Sequence, residues 1–220
     1  MAAGANGVKG RTEIVELSRA QQTIARRASE TRATVPEIEL TAEAEIEPEA
    51  EDALIGRLIR ACALALRDVP RANAAYRDGH FELYSRVNIA VVVPVDGEQA
   101  IVVLFDADQK SPVELSDELA GLAERARSGA LTSPEQSGAT FTLTHVNTPG
   151  VGRVSAMINP PQAAALAAGA VRASAIVRDG AILPGHVLTL TLACDHRVLY
   201  GEQAARFLST IKDLLEVGNL

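Results

Sequence analysis

A layered α+β fold is what the chain predicts, on three observations. Strand-patterned and helix-patterned segments are mixed without a regular βαβ repeat. Apolar residues fill 47% of the 220 positions, enough for a large interior. No repeat or long linker divides the sequence, so one domain is expected over residues 11–220. The small and polar stretch 1–10 is expected to be disordered. With four Phe, three Tyr and no Trp, the interior must rest mainly on Ala, Val, Leu and Ile.

From Glu13 to Thr31 the pattern is helical, with Leu17, Ile24 and Ala28 on one face and Ser18 suited to cap the first turn. Pro36 ends that element. Glu37 to Ile46 alternates acid with small or apolar residues, a strand with one wet face. Ala53 to Asp68 places Leu54, Leu58, Ala61, Cys62 and Ala65 at helical spacing and stops before Pro70. Arg77-Asp78-Gly79-His80 reads as a charged loop. Two strands follow, Val87–Pro94 and Gln99–Phe105, joined by the turn dipeptide Asp96-Gly97.

Ser116 to Ser128 reads as an amphipathic helix and Phe141–Thr144 as a strand. Ala163 to Val177 is Ala-rich, and its periodicity favours helix. Val187–Cys194 is a strongly apolar strand, and Glu202 to Leu215 a closing helix with Ala205, Leu208, Ile211, Leu214 and Leu215 on its apolar side.

The formal charge of −7 argues against a nucleic-acid surface. Acid is concentrated in Glu37 to Asp52 and base in Arg19 to Arg32. Two cysteines, Cys62 and Cys194, are too few for a disulfide framework and have no metal-ligand spacing, so no metal is expected. Both sit in apolar runs, as buried reduced thiols do. No apolar run reaches the ~20 residues of a membrane span, and the start of the chain lacks a secretory pattern. A cytoplasmic protein is expected.

Chemistry is concentrated in Asp195-His196-Arg197-Val198-Leu199-Tyr200-Gly201, where a histidine follows the last strand. The segment resembles the D-H-R-x-x-D-G signature of the acyltransferase (E2) catalytic domain of 2-oxo acid dehydrogenase complexes. Further likenesses follow in family order. Leu17-Ser18 with Ile24-Ala25 resembles the opening L-S-x-x-R-K-x-I-A, and Asp106-Ala107-Asp108-Gln109-Lys110-Ser111 resembles D-A-D-x-K-S. Phe141-Thr142-Leu143-Thr144 resembles F-T-I-S, and Ile158-Asn159-Pro160-Pro161-Gln162-Ala163 matches I-N-P-P-Q-A.

The resemblance implies a chloramphenicol acetyltransferase-like mixed sheet flanked by helices, with a strand somewhere in Ala163–Val177. It implies a homotrimer with active sites at the subunit boundaries. The implied reaction passes an acyl group between coenzyme A (or acetyl-CoA) and a dihydrolipoyl group on a separate protein. Lipoyl-domain or dehydrogenase-complex subunits are then the implied partners, with no nucleic acid and no membrane. The lipoyl and subunit-binding domains of a full-length E2 are absent from the sequence.

Carried over by position, His196 is the base, since imidazole moves protons near neutral pH. Thr144 stands for the oxyanion-stabilising serine and keeps the hydroxyl. Asp195 and Arg197 support the histidine, with Gly201 completing the motif. Asn159 reads as architectural, its amide satisfying backbone groups beside the prolines.

Four departures stand out. Tyr200 replaces the motif's carboxylate or amide, and Gln21 replaces the arginine thought to hold it. A Tyr200–Gln21 contact is the expected substitute, since losing both members of an ion pair is less disruptive than losing one. Glu98 to Phe105 lacks the glycine, proline and arginine of the family's channel-lining strand, and Phe105 or Tyr200 is placed to fill that channel. Thr144-His145-Val146-Asn147 replaces S-N-L-G, with His145 expected in a surface loop. The C-terminal Leu214–Leu220 lacks a longer apolar tail, which favours an isolated trimer over a cage. Two functions are therefore in competition: an acyltransferase and a catalytically silent trimeric scaffold.

Overall fold

A computed structural model describes Gly10 and residues 12–95, 97–218 and 220, and among these described residues it forms nine strands and four α-helices. The expected disorder of 1–10 and the Asp96 half of the expected turn fall outside those residues, apart from Gly10. The helices are α1 (Arg19–Thr34), α2 (Glu51–Asp68), α3 (Pro112–Arg127) and α4 (Gly201–Val217). The strands are β1 (Glu37–Glu45), β2 (Ala74–Arg77), β3 (His80–Leu83), β4 (Ile89–Val95), β5 (Glu98–Leu104), β6 (Phe141–His145), β7 (Ala164–Ala168), β8 (Arg172–Arg178) and β9 (Ala181–Asp195).

The main sheet runs β1-β9-β7-β6-β4-β5, with β8 paired to the first half of β9. The β4–β6 and β6–β7 pairs are parallel and the rest antiparallel, so the sheet is mixed as expected. Val95 pairs with Glu98, which leaves a two-residue hairpin connection, and Gly97 takes the positive φ that such a turn requires.

Alternation along each strand sorts its side chains onto two faces. Leu188, Leu190, Leu192, Leu166, Phe141, Leu143, Ile89 and Val91 meet α2, α3 and α4 in one large core. Helix α2 is buried on most of its surface, at Leu54, Ile55, Leu58, Ile59, Cys62 and Leu66, which is why its sequence is so apolar. Phe207 of α4 packs edge-on against Phe141 at 5.7 Å between ring centroids. At Gly56 a Cβ would lie 2.2 Å from the Pro112 carbonyl oxygen, so the close approach of α2 and α3 requires glycine there.

The opposite face is made of small and polar residues. Ala165, Ala167 and Ala193 pack beneath Ala156 and Ile158. Helix α1 is tied to that side by Thr31, whose hydroxyl donates to the Ile158 carbonyl at 3.1 Å.

Two sequence expectations change. Helix α1 begins at Arg19, because Ser18 and Gln21 form a reciprocal capping box that fixes the first turn, and residues 13–17 are not helical. Ala163–Val177 is two strands, β7 and β8, where periodicity favoured helix and the family resemblance implied strand. All five residues of β7 are buried, paired with β6 on one side and β9 on the other and covered on both faces of the sheet. Packing thus overrides the helix preference of alanine. The Arg77–His80 stretch is the tip of a β2–β3 hairpin, with Asp78 and Gly79 at positive φ.

Candidate active site

Strand β9 delivers the histidine. Its last residue, Asp195, pairs with Glu37 of β1, and the chain then turns sharply as Val198 and Leu199 both donate to the Asp195 carbonyl. The His196 backbone N–H donates to Pro36 at 3.0 Å, which pins this turn to the start of β1. The Asp195 carboxylate is 2% exposed and accepts from Arg197 Nε at 2.9 Å, Arg197 Nη2 at 2.7 Å and the Arg197 backbone at 3.0 Å. That fork holds the Arg197 guanidinium above its ordinary pKa, mainly through the hydrogen bond to Asp195. Behind it, the guanidinium lies 4.0 Å from the Tyr76 ring centroid. Asp195 and Arg197 therefore clamp the end of β9 and do not touch the imidazole.

His196 itself is exposed. Among the described residues its only directional side-chain contact is with Tyr200, ring centroids 5.8 Å apart and planes at 63°. Tyr200 caps α4, accepts from Ala204 at 2.8 Å through its carbonyl, and is 49% exposed. Gly201 opens that helix.

The expected Tyr200–Gln21 contact is not made. The Gln21 side-chain oxygen accepts from the Ser18 backbone at 2.8 Å in the capping box, and Tyr200 faces His196 and Arg71.

Thr144 lies on β6 in register with Ala167 of β7, which is in register with Thr191 of β9. Two strand spacings and five residues along β9 put Thr144 about 19 Å from His196 within one chain. The two candidate catalytic residues are not assembled by a single copy. His145 is on β6, half-buried against the helical face, and not in a surface loop. Burial pushes its imidazole below the ordinary value, against the opposing influence of Glu51 and the Gly169 backbone.

Asn159 acts through Thr142. Its amide donates to the Thr142 hydroxyl at 3.3 Å, and that hydroxyl donates to Gln162 at 2.7 Å. Gln162 donates on to the Ala139 carbonyl at 3.3 Å. This buried network shapes one wall of a cleft of about 590 Å³, whose other walls are Ile24 and Arg27 of α1 and Gln99 and Ile101 of β5. The Gln162 wall of the cleft lies next to the histidine turn, because the Asp195 backbone N–H donates to the carbonyl of Ala163, the residue directly after Gln162, at 2.8 Å. Neither His196 nor Thr144 lines it, and neither Phe105 nor Tyr200 fills it.

Sequence reasoning missed Arg71, Tyr76 and Phe81, which surround the histidine turn. The missed signal was Asp78-Gly79 between Ala74–Arg77 and His80–Leu83, a hairpin dipeptide between short β-forming runs. Among the described residues no group of three or more His, Cys, Asp or Glu side chains is arranged to hold a metal, and no helix is long and apolar enough to cross a membrane.

Comparison with known proteins bears on the family and the fold. The acetyltransferase component of the pyruvate dehydrogenase complex of Zymomonas mobilis is 35% identical over 217 residues, covering 92% of this chain and 49% of that protein. The chain spans about half the length of the curated relatives it matches. A crystal structure of Azotobacter vinelandii dihydrolipoamide acetyltransferase superposes with a TM-score of 0.89 at 26% identity, covering 98% of this chain and 96% of that one. It was solved to examine a serine, a histidine and an asparagine in that enzyme's catalytic mechanism. A chloramphenicol acetyltransferase shares the fold at a TM-score of 0.53 and 15% identity, over 86% of this chain and 94% of that one. A family model described as 2-oxoacid dehydrogenases acyltransferase (catalytic domain) matches residues 9–220, and the chain belongs to that family.

Proposed function

We propose that this chain transfers an acyl group between coenzyme A and a dihydrolipoyl thiol carried by another protein. His196 of one copy would work with Thr144 of a second. The observation that carries the reading is the Asp195–Arg197 clamp, which presents an otherwise unencumbered imidazole at the end of β9. The serine, histidine and asparagine studied in the Azotobacter enzyme have the same separations along the chain as Thr144, His196 and Tyr200 here.

In this reading the His196 imidazole takes the proton of the attacking thiol, and the thiolate sulfur bonds to the thioester carbonyl carbon. The carbonyl oxygen becomes an oxyanion that accepts a hydrogen bond from the Thr144 hydroxyl. Collapse re-forms the carbonyl and breaks the old carbon–sulfur bond, and the departing thiolate takes the proton back from His196. Coenzyme A is a substrate here, and the lipoyl group is a second substrate. The protonated thiols Cys62 and Cys194 suit the reducing cytoplasm.

Self-association is part of the proposal. A separation of about 19 Å between Thr144 and His196 prevents one copy from using both. The lone chain also leaves Ile14, Val15, Leu17, Val177 and Ile182 at least half exposed, on the approach to α1 and on the projecting β8–β9 hairpin. Apolar exposure on this scale suits contact with a second copy. A trimer is the assembly we favour.

The test is acetyl transfer from acetyl-CoA to dihydrolipoamide by the purified chain beside His196→Ala, with the mass in solution measured by light scattering. Transfer lost in the variant at unchanged mass supports the reading. Equal rates in both proteins, or no transfer by either, would sink it and favour a scaffold.

A further inference from the structure

Tyr200 departs from the family motif, and the structure shows what surrounds it. Its ring meets the His196 imidazole. The Arg71 guanidinium carbon lies 4.9 Å from the Tyr200 ring centroid and 4.7 Å from that of Phe81. Arg71 is thus held between two rings, and its Nε is buried without a hydrogen-bond partner among the described residues. A guanidinium so placed is attracted by the faces of both rings.

The three partners come from separate elements with fixed bases. Arg71 sits in the 3-10 turn Pro70–Ala72 that follows α2. Phe81 is on β3, and that hairpin is anchored by Asn73, whose amide donates to Tyr84 at 3.0 Å and Arg86 at 2.9 Å. The hairpin also joins the Asn159–Gln162 wall through Ala163 N–H donating to the Ala74 carbonyl at 2.8 Å.

We infer that Tyr200, held by Arg71, which Phe81 holds in turn, is a positioning residue that fixes the orientation of His196, doing by ring packing what a polar side chain would do by hydrogen bonding. Among the described residues the imidazole has no other directional side-chain contact, so its rotamer within one copy depends on this ring. Neither Tyr200 nor Arg71 is required to touch substrate. The ring, and not the phenol hydroxyl, carries the effect.

The inference rests on the acyl-transfer reading for its kinetic half only. Tyr200→Phe, Tyr200→Leu and Arg71→Met are prepared in the full chain with ¹³Cε1-labelled histidine. Four imidazole signals are expected, and His196→Gln assigns one of them. Tyr200→Phe should keep the ring-current-displaced His196 signal and hold kcat within about threefold of the unsubstituted chain. Tyr200→Leu should abolish the displacement and lower kcat by about 10–100-fold, the scale for a misplaced catalytic group, with KM changed less than about threefold. Arg71→Met should move both readouts the same way by a smaller factor.

A Tyr200→Phe as damaging as Tyr200→Leu would overturn the inference, because the hydroxyl would then be the active group. So would an Arg71→Met indistinguishable from the unsubstituted chain, or a His196 signal with no ring-current displacement. If the unsubstituted chain transfers no acetyl group, the acyl-transfer reading fails alone, and the imidazole signals still decide whether Tyr200 positions His196.

Discussion

Asp195→Asn tests whether the motif's aspartate acts on the fold or on the chemistry. The substitution preserves shape and removes the charge from a carboxylate that is 2% exposed and accepts three hydrogen bonds, two of them from the Arg197 guanidinium at 2.9 and 2.7 Å. Breaking one member of a fully buried pair costs about 3–5 kcal/mol. The Arg197 side chain is 33% exposed and keeps its place over Tyr76, so solvent recovers part of that loss. About 2–3 kcal/mol is therefore expected, the scale of one or two charge-assisted hydrogen bonds.

The assay is urea unfolding followed by far-UV circular dichroism, at a fixed protein concentration because assembly shifts apparent stability. Arg197→Met and the double variant complete a cycle, with an expected coupling of about 1–2 kcal/mol. In the double variant, once Asp195 is gone, losing Arg197 should matter little. Strictly additive effects, or an Asp195→Asn as stable as the unsubstituted chain, would refute the clamp.

Three further expectations follow from the geometry. Gly56→Ala should destabilise by about 1–3 kcal/mol despite the better helix propensity of alanine, since its Cβ would lie 2.2 Å from the Pro112 carbonyl oxygen; a more stable variant would contradict the packing. Burial, helped by the Asp195 carboxylate, pushes the Cys194 thiol up to about 12, and burial raises Cys62 too, so neither should react with a disulfide reagent at pH 8 until the chain is unfolded. Rapid labelling of the native protein would count against that core. Because His145 has its folded pKa below the unfolded one, the unfolded chain takes up a proton first as pH falls below about 6.5. Stability should then fall from pH 7 toward pH 5 more steeply than in His145→Gln, and parallel profiles would disprove the assignment.

The family and most of the elements were legible because they rest on local signals. The Asp195-His196-Arg197 run and the Asn159-Pro160-Pro161-Gln162 stretch are contiguous, and the alternation in Glu37–Glu45 is a direct imprint of one wet face. What escaped depends on distant contacts. The alanines of β7 read as helix formers, since it is pairing with β6 and β9 and cover on both faces that make this stretch a strand. Gln21 invited pairing with Tyr200 by analogy, whereas local capping by Ser18 already used its side chain. Arg71 reaches Tyr200 from more than a hundred residues away and is itself held by Phe81, with nothing in the sequence to link them. His196 was thus readable as the candidate base, and its packing against the Tyr200 ring was not.

The central claim is that one copy supplies His196 and another supplies Thr144, and subunit mixing tests it most directly. His196→Ala and Thr144→Val are each expected to lose at least ~10²-fold in acetyl transfer as separate proteins. Unfolded together in equal amounts and refolded, they should recover about a quarter of the unsubstituted activity, because one boundary in four of a randomly mixed ring would unite an intact histidine with an intact threonine. No recovery from a mixture that folds and assembles normally would contradict the account.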